Sequence, residues 1–162
     1  MLPTINFTTI SMERTLAVAV NCLATTIMQK PITVIIADDN RHMRETLKVI
    51  LTPLDHLKLV GEARNGEEAI HLATTINPDI VLLDINMSPV NGFEAAKKIL
   101  KQNPAIKIIG LSLHKEASYC RNMIKIGAKG FVTKSSSFKK IIDAINEVAE
   151  GGKYIDKNIP GM

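Results

Sequence analysis

Acidic residues follow two apolar segments of this chain, and a lysine follows a third. Asp38 and Asp39 come directly after ITVIIA, Asp84 follows DIVLL, and Lys134 follows GFVT. Ionised groups at the ends of buried strands need a partner, a metal or water, because uncompensated burial of charge is costly. Parallel strands bring their carboxyl ends to one edge of a sheet, where open α/β sheets bind their ligands. The pattern therefore predicts one site with three carboxylates and an ammonium group.

These residue types suit a magnesium-assisted phosphoryl transfer. Mg²⁺ prefers oxygen ligands and retains waters, so the carboxylates and the backbone carbonyl of Asn86 could hold it. Asp84 could then act as a nucleophile toward phosphorus and form an aspartyl phosphate. Ser112, at the end of IIGLS, offers a hydroxyl to the phosphoryl oxygens, and Lys134 offers a compact cation. A helix cap or a solvated surface residue would explain each residue alone, but not the ordered set.

The elements that must position these residues alternate along the chain. Segments with helical periodicity separate five apolar segments, of which the first, third and fourth are continuously apolar, as in strands buried on both faces. This alternation predicts an α/β fold with a five-stranded parallel sheet, covered by helices on both faces. The predicted strands are Ile32–Ala37, Leu57–Ala63, Ile80–Leu83, Ile106–Leu111 and Gly130–Thr133.

The length of 162 residues and a hydrophobic content of 46% fit one domain with an appendage. Residues 1–30 carry few charges and are rich in threonine. We expect them to be an N-terminal extension, disordered or loosely docked, and residues 153–162 to be a tail or the start of a linker. The apolar stretch Leu16–Met28 is shorter than the ~18 residues of a membrane span, so we expect no membrane association. The domain itself is expected at residues 31–152.

Charge and cysteine content exclude several classes of protein. The net charge of +4 is scattered along the chain, so we expect no direct nucleic-acid binding. Cys22 and Cys120 form neither a disulfide framework nor a metal-binding spacing, which favours a reducing, cytoplasmic location. The four histidines show no ligand spacing, which argues against zinc.

Four motifs over roughly residues 31–152 resemble the receiver domain of bacterial two-component response regulators: IIADDN, VLLDINMSPVNG, IIGLS and AKGFVTKSS. The resemblance implies a flavodoxin-like (βα)5 doubly wound fold with Mg²⁺ as cofactor. It implies that Asp84 accepts a phosphoryl group from a sensor histidine kinase or a phosphotransfer protein. The other matched positions would be the metal-binding pair Asp38 and Asp39, the carbonyl ligand Asn86, the switch hydroxyl Ser112 and the phosphate-binding Lys134.

The resemblance also implies an output. Phe131 matches the switch aromatic residue, and Asn86 and His114 match the two positions that tune loss of the phosphate. The surface of the fourth helix, fifth strand and fifth helix would switch and control a homodimer or an effector protein. No enzyme activity is expected beyond slow autodephosphorylation. Two segments, VGEARNGEEAI and EVAEGGKYI, resemble the subfamily whose receiver domains are followed by a helix-turn-helix DNA-binding domain. We expect no such domain within these 162 residues.

Three alternatives stay open from the sequence. A phosphohydrolase of the haloacid dehalogenase type also phosphorylates an aspartate at a strand end, but needs a second aspartate where this chain has Asn86. A flavodoxin-like cofactor binder needs a phosphate loop rich in Ser, Thr and Gly after the first strand, where Asp38 and Asp39 stand. The third alternative is a degenerate receiver that acts only as a binding module. Ser135 and Phe131 also depart from the family, because a proline and a tyrosine are common at those positions.

Overall fold

The structure is a computed structural model that describes residues 30–161, so the predicted N-terminal extension lies outside the described residues apart from Lys30. The strands are β1 (Ile32–Ala37), β2 (Leu57–Ala63), β3 (Ile80–Asp84), β4 (Lys107–Ser112), β5 (Gly130–Thr133) and β6 (Tyr154–Ile155). The helices are α1 (Arg41–Leu51), α2 (Gly66–Ile76), α3 (Gly92–Gln102), α4 (Ala117–Ile126) and α5 (Phe138–Ala149).

The strands form one parallel sheet in the order β2-β1-β3-β4-β5-β6. The predicted parallel α/β fold is confirmed, but the predicted count of five strands is one too low. The additional strand β6 pairs with β5, and Asp156 N donates to Phe131 O at 2.9 Å. A strand of two residues is too short to show a period-two pattern in the sequence. It forms because the edge of β5 supplies hydrogen-bond partners.

Two apolar cores lie on opposite faces of the sheet. Successive β1 side chains alternate between them, so that Ile35 belongs to one core and Val34 and Ile36 to the other. Residues of α2, α3 and α4 fill the first core, and residues of α1 and α5 fill the second. The central strands are therefore covered on both sides, as their continuous apolar sequences predict. Within residues 30–161, no helix is both long and apolar enough to cross a bilayer.

Candidate functional site

The three predicted carboxylates converge at the carboxyl edge of the sheet. Asp38 directly follows β1 and Asp84 ends β3, and these strands are neighbours with Ala37 opposite Leu83. Asp38 and Asp84 are buried, whereas Asp39 is exposed. One oxygen from each of the three lies within 4.8 Å of the others. Strand order thus brings together residues that are 46 positions apart in the chain.

Lys134 joins the two buried carboxylates. Its Nζ atom lies 2.7 Å from Asp38 Oδ2 and 2.9 Å from Asp84 Oδ2, and its side chain is only 7% exposed. The backbone fixes this position, because Lys134 N donates to Ser112 O at 2.7 Å and ties the end of β5 to that of β4. Burial lowers the pKa of Lys134, but hydrogen bonds and charge attraction from both carboxylates outweigh burial and raise this pKa. The ammonium group is therefore charged at neutral pH.

The carboxylate of Asp38 is a suitable metal ligand. Its Oδ1 accepts a hydrogen bond from Asn40 N at 2.9 Å, and among the described residues the partner of its buried Oδ2 is the Lys134 ammonium at 2.7 Å. Burial raises the pKa of Asp38, the Lys134 ammonium opposes this rise, and the charge of Asp84 adds to it. A buried carboxylate oxygen beside two further carboxylates fits a hard divalent cation, because such a cation would neutralise their repulsion.

The acidic pair does not cap the following helix. Asn40 is the N-cap of α1, and its Oδ1 accepts hydrogen bonds from the backbone N–H groups of His42 and Met43. The capping interpretation of Asp38 and Asp39 is therefore wrong, and both carboxylates are left to the site.

Arg44 supports the site and was missed by the sequence analysis. Its Nη1 donates to Asp38 O at 2.7 Å, and the residue is buried. A signal was present, because Arg44 lies on the same helical face as the core residues Leu47 and Leu51. A charged residue on a buried face needs a partner, and here the partner is the backbone that carries Asp38.

A tight connection between β3 and α3 holds Asp84. Asn86 N donates to Asp84 Oδ1 at 3.2 Å, and Gly92 N donates to Ile85 O at 2.9 Å. A Cβ atom at position 92 would lie 2.2 Å from Asp84 O, so this close approach of α3 requires glycine. Asn86 is exposed next to the carboxylates.

Ser112 ends β4 beside Lys134 and is fully buried. Its hydroxyl oxygen accepts a hydrogen bond from His114 N at 3.0 Å. The half-buried ring of His114 stacks on that of Tyr119, with the centroids 4.6 Å apart and the planes at 6°. The hydroxyl thus caps its own loop, and an aromatic stack secures that loop.

Phe131 belongs to the apolar core and not to the carboxylate cluster. Its side chain is fully buried in the core below α2, α3 and α4, beside the backbone of Gly110. Its predicted role as a switch residue is not tested by this packing, which a core phenylalanine would share.

Among residues 30–161 the cis peptide bond is Ser88–Pro89, and the bond after Lys134 is trans.

Residues 34–146 match the family described as the response regulator receiver domain. The chain is 36% identical over 131 residues to the transcriptional regulatory protein DegU of Brevibacillus brevis, covering 81% of this chain and 56% of DegU. It is 34% identical over 128 residues to the response regulator UvrY of Escherichia coli, covering 79% of this chain and 59% of UvrY. The chain therefore spans less than two thirds of the length of these relatives.

Solved structures show the same likeness. The signal receiver domain of the putative response regulator NarL from Mycobacterium tuberculosis is 28% identical, with a TM-score of 0.72 over 75% of this chain and 98% of that one. A two-component response regulator of the LuxR family from Aurantimonas is 26% identical, with a TM-score of 0.77 over 80% and 93% of the two chains. These matches do not favour the phosphohydrolase alternative, since the relatives are named as regulators.

Proposed function

Because this chain belongs to the response regulator receiver domain family, we propose that Asp84 is its phosphoryl acceptor in two-component signalling. One observation carries the proposal. Asp84 lies at the carboxyl edge of the sheet within 4.8 Å of two further carboxylates, and a buried lysine pairs with it at 2.9 Å. Such a site can neutralise and position a phosphoryl group, which is most of what phosphoryl transfer requires.

The proposed step is a displacement at phosphorus. A carboxylate oxygen of Asp84 forms the new O–P bond, while the N–P bond of a phosphohistidine donor breaks and the donor imidazole keeps the electron pair and takes up a proton. The donor would be a sensor histidine kinase or a phosphotransfer protein. Lys134 would then exchange part of its contact with Asp84 for a phosphoryl oxygen, and Ser112 would donate its hydroxyl hydrogen to another.

Asp38, Asp39, Asp84 and the backbone carbonyl of Asn86 would hold Mg²⁺. The bound cation supplies charge neutralisation for the phosphoryl oxygens. The support comes from the acidic cluster, in which oxygens of three carboxylates lie within 4.8 Å of one another and Lys134 pairs with Asp38 and Asp84. Asp39 is exposed, so its carboxylate is accessible to a hydrated cation arriving from solvent.

Loss of the phosphate would return the domain to its resting state. Water must reach phosphorus for this slow autodephosphorylation, and Asn86 and His114 would control its approach. Asn86 is exposed beside Asp84. His114 lies two residues after Ser112, and its backbone N–H donates a hydrogen bond to the Ser112 hydroxyl oxygen. We place this chemistry in the cytoplasm, in agreement with the cysteine content.

The output would pass through α4, β5 and α5 to a second copy of the chain or to an effector protein. Phe131 connects β5 to the core and would report the movement of Ser112 and Lys134. The edge of β5 is paired with β6, so the exposed output surface consists of α4, α5 and this added strand. The proposal covers residues 31–152 as the receiver and residues 153–162 as the segment that leads to any further domain.

The test is phosphorylation by acetyl phosphate in the presence of Mg²⁺, followed by intact mass measurement. Wild-type protein should gain one phosphoryl group, and Asp84→Asn should gain none. Asp55→Asn is the matched control, because Asp55 is exposed and its substitution makes the same chemical change. An adduct on Asp84→Asn, or a wild-type adduct that forms equally in EDTA, would refute the proposed site. A wild-type protein that binds Mg²⁺ without forming an adduct would favour the degenerate receiver.

A further inference from the structure

A groove between α3 and α4 is lined by apolar and basic side chains that have no role in the proposed phosphoryl transfer. Its volume is about 550 Å³, and it is lined by Phe93, Lys97, Asn122, Lys125 and Ile126. None of these residues belongs to the carboxylate cluster. Phe93 and Ile126 are half-buried, while the other three are exposed. The groove therefore combines an apolar floor with a polar, basic rim.

The positive charge of the rim is not neutralised by the domain itself. Neither Lys97 nor Lys125 forms an ion pair within residues 30–161. The neighbouring Lys98, by contrast, pairs with Glu94 at 2.9 Å along the same helix. Two ammonium groups thus flank the apolar floor, and their charge is available to a ligand.

We propose that this groove binds an acidic segment of a partner protein. One large apolar side chain of the segment would pack against Phe93 and Ile126, and flanking carboxylates would pair with Lys97 and Lys125. The volume lies within the range of ~300–1,000 Å³ in which binding pockets hold their ligands. A nucleic acid suits the groove less well, because its backbone would place several phosphates against two lysines and would leave the apolar floor uncovered.

Three rings connect this groove to Ser112. The centroids of Phe93 and Tyr119 are 6.0 Å apart, Tyr119 stacks on His114, and His114 N donates to the hydroxyl oxygen of Ser112. If the Ser112 side chain rotated toward a phosphoryl group, its oxygen would move away from His114 N, this hydrogen bond would break, and the position of the stacked rings would change. The affinity of the groove for the acidic segment therefore depends on phosphorylation. This part of the proposal rests on the proposed function, the phosphorylation of Asp84.

The probe is a fluorescein-labelled peptide in which two aspartates stand on each side of a Leu-Phe pair. Binding is measured by fluorescence anisotropy with the full chain. Lys97→Glu/Lys125→Glu should weaken binding by roughly tenfold or more, because two ion pairs become repulsive contacts. Lys30→Glu/Lys58→Glu is the matched control, since both lysines are exposed, form no ion pair within residues 30–161, lie outside the groove and give the same change in net charge. It should bind nearly as well as wild type.

Several results would overturn the docking proposal. These are an equal loss of binding in both double variants, no binding by wild type, equal binding of a peptide with Gly-Ser in place of Leu-Phe, or displacement of the probe by a single-stranded oligonucleotide of equal charge. The first and third would show attraction by charge alone, and the last would show a nucleic-acid surface.

The dependence on phosphorylation is measured on protein whose phosphoryl adduct has been verified by mass. We expect the affinity for the peptide to change by about threefold or more, and Tyr119→Leu to remove most of this change. An unchanged affinity in the phosphorylated protein would refute the coupling but not the docking. Failure to form any adduct would instead refute the proposed function, and the comparison of the two lysine double variants would still decide the docking.

Discussion

Replacing Lys134 with methionine tests whether the site is held together by the cation shared between Asp38 and Asp84. The substitution keeps a long aliphatic side chain and removes the ammonium group, which lies 2.7 Å and 2.9 Å from the two carboxylates. Removing one partner of a buried ion pair typically costs about 3–5 kcal/mol, because the remaining charge is uncompensated. We expect a loss near the lower limit, about 3 kcal/mol, because Asp38 can take up a proton.

The geometry of the cluster gives a similar magnitude. Oxygens of the three carboxylates lie within 4.8 Å of one another. Two unit charges at that separation repel by about 3.5 kcal/mol at an effective dielectric constant of roughly 20. Lys134 offsets this repulsion in the wild type, so the variant must either bear it or protonate one carboxylate.

The sign of the pH dependence follows from this choice. Burial already raises the pKa of Asp38 in the wild type, and the loss of Lys134 removes the main group that opposes this rise. The folded variant then binds more protons than the unfolded chain, so its stability falls as pH rises through the pKa of Asp38 in the fold. The deficit relative to wild type should be greatest at neutral and higher pH and should shrink under acidic conditions.

Urea unfolding of the full chain in EDTA, at about pH 8 and about pH 5, measures both effects. Lys139→Met is the control, because the Lys139 side chain is 79% exposed and pairs with Asp143 on the surface. Its loss should be below about 1 kcal/mol. If Lys134→Met lost no more stability than Lys139→Met, or if its deficit were the same at both pH values, the reasoning would be refuted.

Three further perturbations probe the metal, the backbone and the C-terminal segment. Mg²⁺ at a hundredfold excess over its Kd should raise the free energy of unfolding of the wild type by about 2.7 kcal/mol. In thermal unfolding, Asp39→Asn should show a smaller stabilisation by Mg²⁺. Its stability without metal should change little, because Asp39 is exposed. Gly92→Ala should destabilise by about 2–3 kcal/mol in urea, because its Cβ would lie 2.2 Å from a carbonyl oxygen; an unchanged midpoint would contradict the close approach. Burial raises the pKa of Asp156, but Lys140 and several hydrogen-bond donors outweigh burial and hold this pKa well below its usual value. Asp156→Asn should therefore cost about 2 kcal/mol at neutral pH. The difference from wild type should begin to shrink as pH falls below about 4, the usual pKa of an aspartate, and should go on shrinking toward the much lower pKa of Asp156 in the fold; a constant difference would count against it.

The carboxylate cluster could be predicted because each of its members follows an apolar strand directly. In a parallel sheet, the position of a residue just after its strand places it at the carboxyl edge, whatever the order of the strands. The strand assignments therefore place Asp38, Asp84 and Lys134 at one edge of the sheet, and the strand order β1-β3-β4-β5 brings them into contact. The α/β class was equally readable, since continuously apolar segments separated by helical periodicity indicate buried parallel strands.

The contacts that depend on strand order or on the paths of loops could not be predicted in this way. Asp156 is buried and paired with Lys140 at 2.7 Å, yet its surroundings in the sequence are those of a polar tail. The strand β6 exists only because β5 has an open edge, and the stacking of His114 on Tyr119 depends on the path of the β4–α4 loop. The charge of Arg44 on an apolar face was a readable signal, but the carbonyl that it binds was not.

The sequence by itself determined the fold class, five of the six described strands and the set of ionisable groups at one sheet edge, because burial imposes local periodicity and places polar residues where strands end. Only the tertiary structure decided which oxygens of Asp38 and Asp84 face Lys134, how closely the lysine approaches each of them, and that a basic groove lies between α3 and α4. These features depend on distances of a few ångströms between elements far apart in the chain. Such distances are set by packing, and packing has no local signature in the sequence.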